Sequence, residues 1–303
     1  MTWSAEERAW YREQSVFSDP GELGAWVDDL PPDPDALARI VRGLVAHRRE
    51  DGPAGGFALP AAHVRADAEA RYVEEILRVL RERDPATAAA PRADADRFVG
   101  VCRDFALLHC ALLRRAGFPA RVRVGFVDWF GPAGEFADHV VTEYLCPRRE
   151  RPVLVDAELA DPARVAAHGL DFDPFDVPRE RFLGASEAWR LIRSGAADAR
   201  RFGLRTPEVE LVGAWFVAGN VRLELAALNR AETLLWDVWG VGADDDASLT
   251  EEDRAVFDRA AEVVVGGDLA RIRAHYAGEE GLRLPREVLS LTAFDGARRV
   301  VLR

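Results

Sequence analysis

Cys102, His139 and Asp156 occur in that order along the chain, and they are the residue types from which a thiol nucleophile, its base and the group orienting that base are assembled. Cys102 opens an apolar run of helical spacing. It is therefore expected in the first turn of a helix, where free backbone N–H groups and the helix dipole favour the thiolate. The same N–H groups would stabilise the oxyanion of a tetrahedral intermediate, a second part that acyl transfer requires. His139 opens one expected strand and Asp156 closes the next. If those strands are adjacent and antiparallel, the carboxylate lies against the imidazole.

Other candidates read differently. His109 follows Cys102 by seven residues on the same expected helix, about 10 Å along the axis and too far to be its base, so it is read as packing. Cys110 sits mid-helix among leucines and Cys146 precedes Pro147 at a strand end; both read as structural thiols. A zinc site from Cys102, Cys110 and His139 would need ligands that helix spacing scatters. No metal and no cofactor is expected. Asp104 reads as a first-turn acid suited to the dipole.

The elements that must position these residues follow from periodicity. Gly100–Gly117 carries Phe105, Leu108, Leu112 and Leu113 at helical spacing and ends in Gly117-Phe118-Pro119. The period then changes to two over 120–127, 139–145 and 151–156, giving helix, strand, strand, strand. Upstream, residues 1–30 read as a short amphipathic helix carrying Trp3, Trp10 and Trp26. A helix from Asp35 runs through Leu37, Ile40, Val41, Leu44 and Val45 and stops before Asp51–Gly56, and another covers about 67–83. Downstream, an irregular Asp- and Pro-rich stretch reaches about 182. Helices are expected near 185–194, 207–236, 250–265 and 267–277, with a strand, a turn at Asp295-Gly296 and a strand closing the chain.

Composition bounds the function. The chain has 303 residues, 49% hydrophobic and 30% charged, the balance of a folded globular protein. Its net charge of −12 disfavours nucleic acid and anionic membrane as partners, leaving a small molecule or a protein. Every basic residue is Arg. Three cysteines without a Cys-x-x-Cys pair, together with no basic-then-apolar N-terminal pattern, fit a reducing cytoplasm.

The segment Gly100-Val101-Cys102-Arg103-Asp104-Phe105-Ala106-Leu107-Leu108, followed by Leu112–Arg121, resembles the nucleophile helix of the transglutaminase-like superfamily in its small prokaryotic form. His139-Val140-Val141-Thr142-Glu143-Tyr144 and Val153-Leu154-Val155-Asp156 resemble the family's following strands. The resemblance implies an α+β fold with a papain-like core, a nucleophile helix packed on an antiparallel sheet. Residues 1–34 would form an N-terminal helical segment, 35–165 the catalytic core and 166–303 a mainly helical region with terminal strands. It carries over Cys102 as nucleophile, His139 as base and Asp156 as orienter. The oxyanion donor that relatives supply upstream of the helix finds no aligned residue, although Trp3, Trp10, Trp26 or Tyr72 could serve.

What this implies is cysteine-dependent acyl transfer through a thioester, first of all hydrolysis of an amide in a small molecule or peptide. Amide synthesis or transglutaminase-type transfer to an amine acceptor is the alternative, and a non-catalytic binding or scaffold module a third reading. Calcium-activated crosslinking is disfavoured by the absence of an EF-hand-like oxygen cluster, and self-crosslinking through Lys is impossible. In the helix expected near 207–236, Asn220 and Glu224 fall on an apolar stripe and must meet partners. These would be Arg or backbone groups in the core, or a substrate in a cleft over Cys102. The oligomeric state is not legible.

Overall fold

The structure, a computed structural model, describes residues 3–52, 56–207, 209–242, 244–292 and 294–303. Of the expected break at Asp51–Gly56, residues 53–55 lie outside the described set. The N-terminal stretch forms α1 (Ala5–Arg12), capped by Ser4 and Glu7, and a separate 3-10 turn over Gly21–Trp26. α2 (Pro34–Leu44) starts where the Asp33 side chain accepts the Ala36 N–H and Pro34 fills the first position. Val45, expected at the end of that helix, instead opens the strand β1 (Val45–His47). After α3 (Ala61–Asp67) and α4 (Val73–Arg83) comes β2 (Phe98–Gly100), which pairs in parallel with β1, placing His47 opposite Gly100.

The chain passes from β2 straight into α5 (Cys102–Arg115), in which every residue from Cys102 to Arg114 is buried. Gly117 ends the helix at φ +88°, a left-handed conformation that glycine adopts without cost. The Gly117 N–H donates to Arg114 O and the Phe118 N–H to Leu113 O, closing the paired C-terminal bonds typical of such a stop.

α5 packs on β3 (Ala120–Val127) and β4 (Phe136–Cys146) of a six-stranded sheet. β4 pairs antiparallel with β3 and with β5 (Arg151–Val155), the latter in the register Thr142 to Val155. After α6 (Pro162–Ala167), β6 (Phe182–Gly184) extends the sheet beyond β3. A Cβ at Gly125 would lie 2.2 Å from Leu183 O, so that pairing needs glycine at this position. α7 (Ala185–Arg193) follows, and then β7 (Phe202–Arg205), parallel to β4, with β8 (Glu210–Val212) beyond it.

The helix expected near 207–236 is the shorter α8 (Ala214–Leu228), because residues 210–212 are drawn into the sheet. β9 (Asp237–Val238), α9 (Glu251–Gly266) and α10 (Leu269–Gly278) lead to β10 (Glu287–Thr292) and β11 (Gly296–Val301). These last two pair as a hairpin, with β9 beside β10. The fold is thus mixed helix and sheet. The largest apolar core joins Phe17 and Leu23 to Phe105 and Leu108 of α5 and to Val288 and Leu302 near the C-terminus, and a second core lies among α7, α8 and α9. No described helix is long and apolar enough to cross a membrane.

Candidate active site

Cys102 sits where β2 ends and α5 begins, so its backbone N–H is one of the helix's unpaired first-turn donors. Val101 immediately before it is extended, and the Asp104 carboxylate accepts the Val101 N–H at 2.9 Å while pairing with Arg103 at 3.0 Å. Asp104 therefore braces the turn and is not among the side chains lining the cleft at Cys102. Arg103 donates to Arg71 O and to Glu232 O, tying the start of α5 to the segment after α8.

β4 and β5 place His139 beside Asp156. The imidazole Nε2 lies 2.8 Å from Asp156 Oδ2, both side chains buried. Asp156 Oδ1 in turn accepts the Glu158 N–H at 3.1 Å, which fixes the carboxylate's orientation. Because Nε2 is taken, Nδ1 is the nitrogen left for the Cys102 thiol, and thiol and imidazole shift each other's titration. Trp129 and Phe130 stand edge-on to the His139 ring at centroid distances of 6.0 and 5.0 Å.

Burial disfavours a charged His139, but the Asp156 carboxylate and then Cys102 outweigh it, so the imidazole is held well above its ordinary value. Burial also pushes the Cys102 thiol up, opposed by His139 and reinforced by Asp138 and Glu158. The thiol lowering expected from the helix terminus is thus overturned: in this buried setting the net direction is upward. What favours the thiolate is His139.

Two residues that the sequence did not single out complete the site. His47, at the end of β1, lines the cleft, and its Nδ1 accepts the N–H groups of Arg49 and Glu50 at 3.3 and 3.1 Å. That assigns the ring proton to Nε2. Burial, then Arg49 and Arg48, hold His47 well below its ordinary value, so it is a neutral N–H donor. Glu158 lies in the 3-10 turn after Asp156 and is 2% exposed, with Oε2 buried and without a hydrogen-bond partner among the described residues. The cleft, about 360 Å³, also takes in Arg48, whose guanidinium lies 4.9 Å from the Trp236 ring, together with Phe130 and Phe216.

The remaining candidates lie elsewhere. Asn220 Nδ2 donates to Phe216 O one turn back, and Glu224 bonds Arg123 at 3.0 Å and the Ser186 N–H at 2.8 Å. Neither lines the cleft, so the expectation that they contact substrate over Cys102 is corrected: Arg and backbone groups inside the fold satisfy them. His109 faces Pro34 O at 3.2 Å and burial lowers it to about 4. Cys110 is fully buried and its thiol is pushed up to about 12, and Cys146 is buried as well. Of the aromatics considered as oxyanion donors, Trp3, Trp10, Trp26 and Tyr72 are absent from the cleft lining. Among the described residues no group of three or more His, Cys, Asp or Glu side chains is placed to hold a metal ion, so Cys102, Cys110 and His139 do not form such a set.

Residues 59–150 match the family model of the transglutaminase-like superfamily. The matched span holds Cys102 and His139 and stops short of Asp156, and His47 lies before it. No curated protein and no solved structure matches the chain.

Proposed function

We propose, with the transglutaminase-like domain over residues 59–150 as premise, that the protein is a cysteine-dependent acyl-transfer enzyme with a papain-like core. Its reaction is the hydrolysis of an amide bond in a small molecule or peptide. The observation that carries this reading is the buried chain of contacts from Asp156 through His139 to Cys102, with the cysteine at the free N-terminus of α5.

In this reading the thiol proton passes to His139 Nδ1, and Asp156 stabilises the imidazolium that results. The thiolate attacks the amide carbonyl carbon. The electron pair displaced onto the carbonyl oxygen is stabilised by the Cys102 backbone N–H and by the Nε2–H of His47. His47 suits that task because its tautomer is fixed, with the proton on Nε2, and its ring stays neutral at neutral pH. As the intermediate collapses, the C–N bond breaks and the imidazolium gives its proton to the departing amine. The thioester is then resolved by a water whose proton returns to His139, releasing the acid and the free thiol.

The test is intact-protein and peptide mass spectrometry after brief exposure to p-nitrophenyl acetate. The reading expects one acetyl group on Cys102, absent in Cys102→Ala and slowed at least about 100-fold in His139→Ala. Acetylation spread over Cys110 or Cys146, or unaffected by His139→Ala, would overturn it.

A further inference from the structure

The chemistry just proposed uses Asp156, His139, Cys102 and His47, and leaves Glu158, among the ionisable side chains lining the cleft, without a task. Glu158 is 2% exposed, lines the same cleft as Cys102 and His139, and presents a buried Oε2 with no partner among the described residues. The Glu158 N–H to Asp156 Oδ1 bond ties the backbone from which the carboxyl projects to the His139–Asp156 pair. The other buried glutamates each have an Arg partner: Glu143 meets Arg121 and Arg123, Glu224 meets Arg123, and Glu232 meets Arg114. A buried carboxyl oxygen without a partner is destabilising and calls for a specific reason, and a cationic ligand entering the cleft supplies one.

We infer that Glu158 is the recognition carboxylate for an ammonium group carried by the substrate, placing that group at the floor of the cleft beside the acyl carbon. The inference rests on Cys102 being the nucleophile. Around Glu158 stand His139 from β4, Asp156, and Asp51 and Glu50 from the turn after β1, with Arg164 of α6 bound to Asp51 and to Glu50 O. Burial, reinforced by the Asp156, Asp51 and Glu50 charges against the pull of His139, raises the Glu158 carboxyl to about 8. An incoming cation supplies the missing donor and the counter-charge together, so the carboxylate ionises as it binds. Arg48 lies on the same cleft, and an anionic group there would meet it instead.

The experiment reads the charge preference of Cys102 itself. The full-length protein, above pH 8, is treated with methanethiosulfonate reagents bearing a trimethylammonium or a sulfonate tail. The thiolate attacks the reagent sulfur, a mixed disulfide forms and methanesulfinate leaves, and site-resolved mass spectrometry gives each rate. Taking the ratio of the two rates removes any change in thiolate fraction. With Arg48 kept, Glu158→Gln should lower the cationic-to-anionic ratio about tenfold. An unchanged ratio in the folded variant would overturn the inference. In the unmodified protein, n-butylamine should slow iodoacetamide labelling of Cys102 at a concentration about tenfold lower than 1-pentanol requires. Equal concentrations would overturn it too. The nucleophile reading fails separately, by labelling at Cys102 that is no faster than at Cys110 and indifferent to His139→Ala.

Discussion

Replacing Glu158 by Gln should make the protein more stable in base than it is now, and the amount follows from the structure. The carboxyl is raised from its ordinary 4.5 to about 8 in the fold. Below 4.5 folded and unfolded chains both hold the proton and the group contributes nothing to pH dependence. Between the two values the unfolded chain releases a proton that the folded chain keeps. Stability therefore falls as pH rises through this window and stays reduced above about 8. At about 1.4 kcal/mol per pKa unit, the ceiling on that loss is about 5 kcal/mol. Gln does not titrate, and any fixed penalty it brings cancels when one pH is compared with another. Urea unfolding of both proteins at about pH 4 and about pH 9 should show the variant gaining several kcal/mol on the unmodified chain across the interval, with the ceiling above as the limit. A relative gain below about 1 kcal/mol would mean that the carboxyl is effectively solvated, and the argument from its burial would be refuted.

Asp156→Asn keeps the shape of the contact to His139 while removing the charge that favours the imidazolium. Thioester formation from p-nitrophenyl acetate should drop at least about 100-fold, and a loss below about threefold would show that Asp156 does not act through His139. His47→Ala removes the fixed Nε2–H, so the same rate should fall about 100-fold with labelling of Cys102 by iodoacetamide little changed; parallel losses in both would make His47 structural. His109 is held near 4 by burial, so stability is present above its ordinary 6.5 and is lost as pH falls from there toward 4, by about 3 kcal/mol. Urea titrations of His109→Gln, which keeps a donor for Pro34 O, should lack that acid-side loss; an identical slope would contradict the assignment.

The parts of the site that are legible in sequence are those built by local signals. α5 announces itself through helical spacing and the Gly117 stop, and β3 to β5 through alternation, so Cys102, His139 and Asp156 can be placed on neighbouring elements before any coordinates. β1 and β2 cannot be read this way. Each is three residues long and exists because it pairs with the other across about fifty residues of chain, which left His47 at the end of an expected helix and unsuspected. Glu158 gave only a faint sign, an acid between Ala157 and Leu159 two residues after Asp156. The overlong helix near 207–236 fails for a related reason: β8 forms because β7 offers it an edge, something outside its own sequence. Asn220 and Glu224 were rightly expected to need partners, but α8 is buried on nearly all sides, so an apolar stripe could not say which neighbour each would face. The thiol's net direction is not legible either, because a helix terminus is visible in sequence and complete burial is not.

The central claim is that Cys102 is a nucleophile made reactive by His139, and site-resolved iodoacetamide labelling at about pH 6 tests it most directly. The account predicts that Cys102 alkylates at least about tenfold faster than Cys110 or Cys146, and that His139→Ala removes the difference, because burial then acts on the thiol unopposed. Equal, slow labelling of all three thiols in the unmodified protein, or a Cys102 rate untouched by His139→Ala, would contradict it.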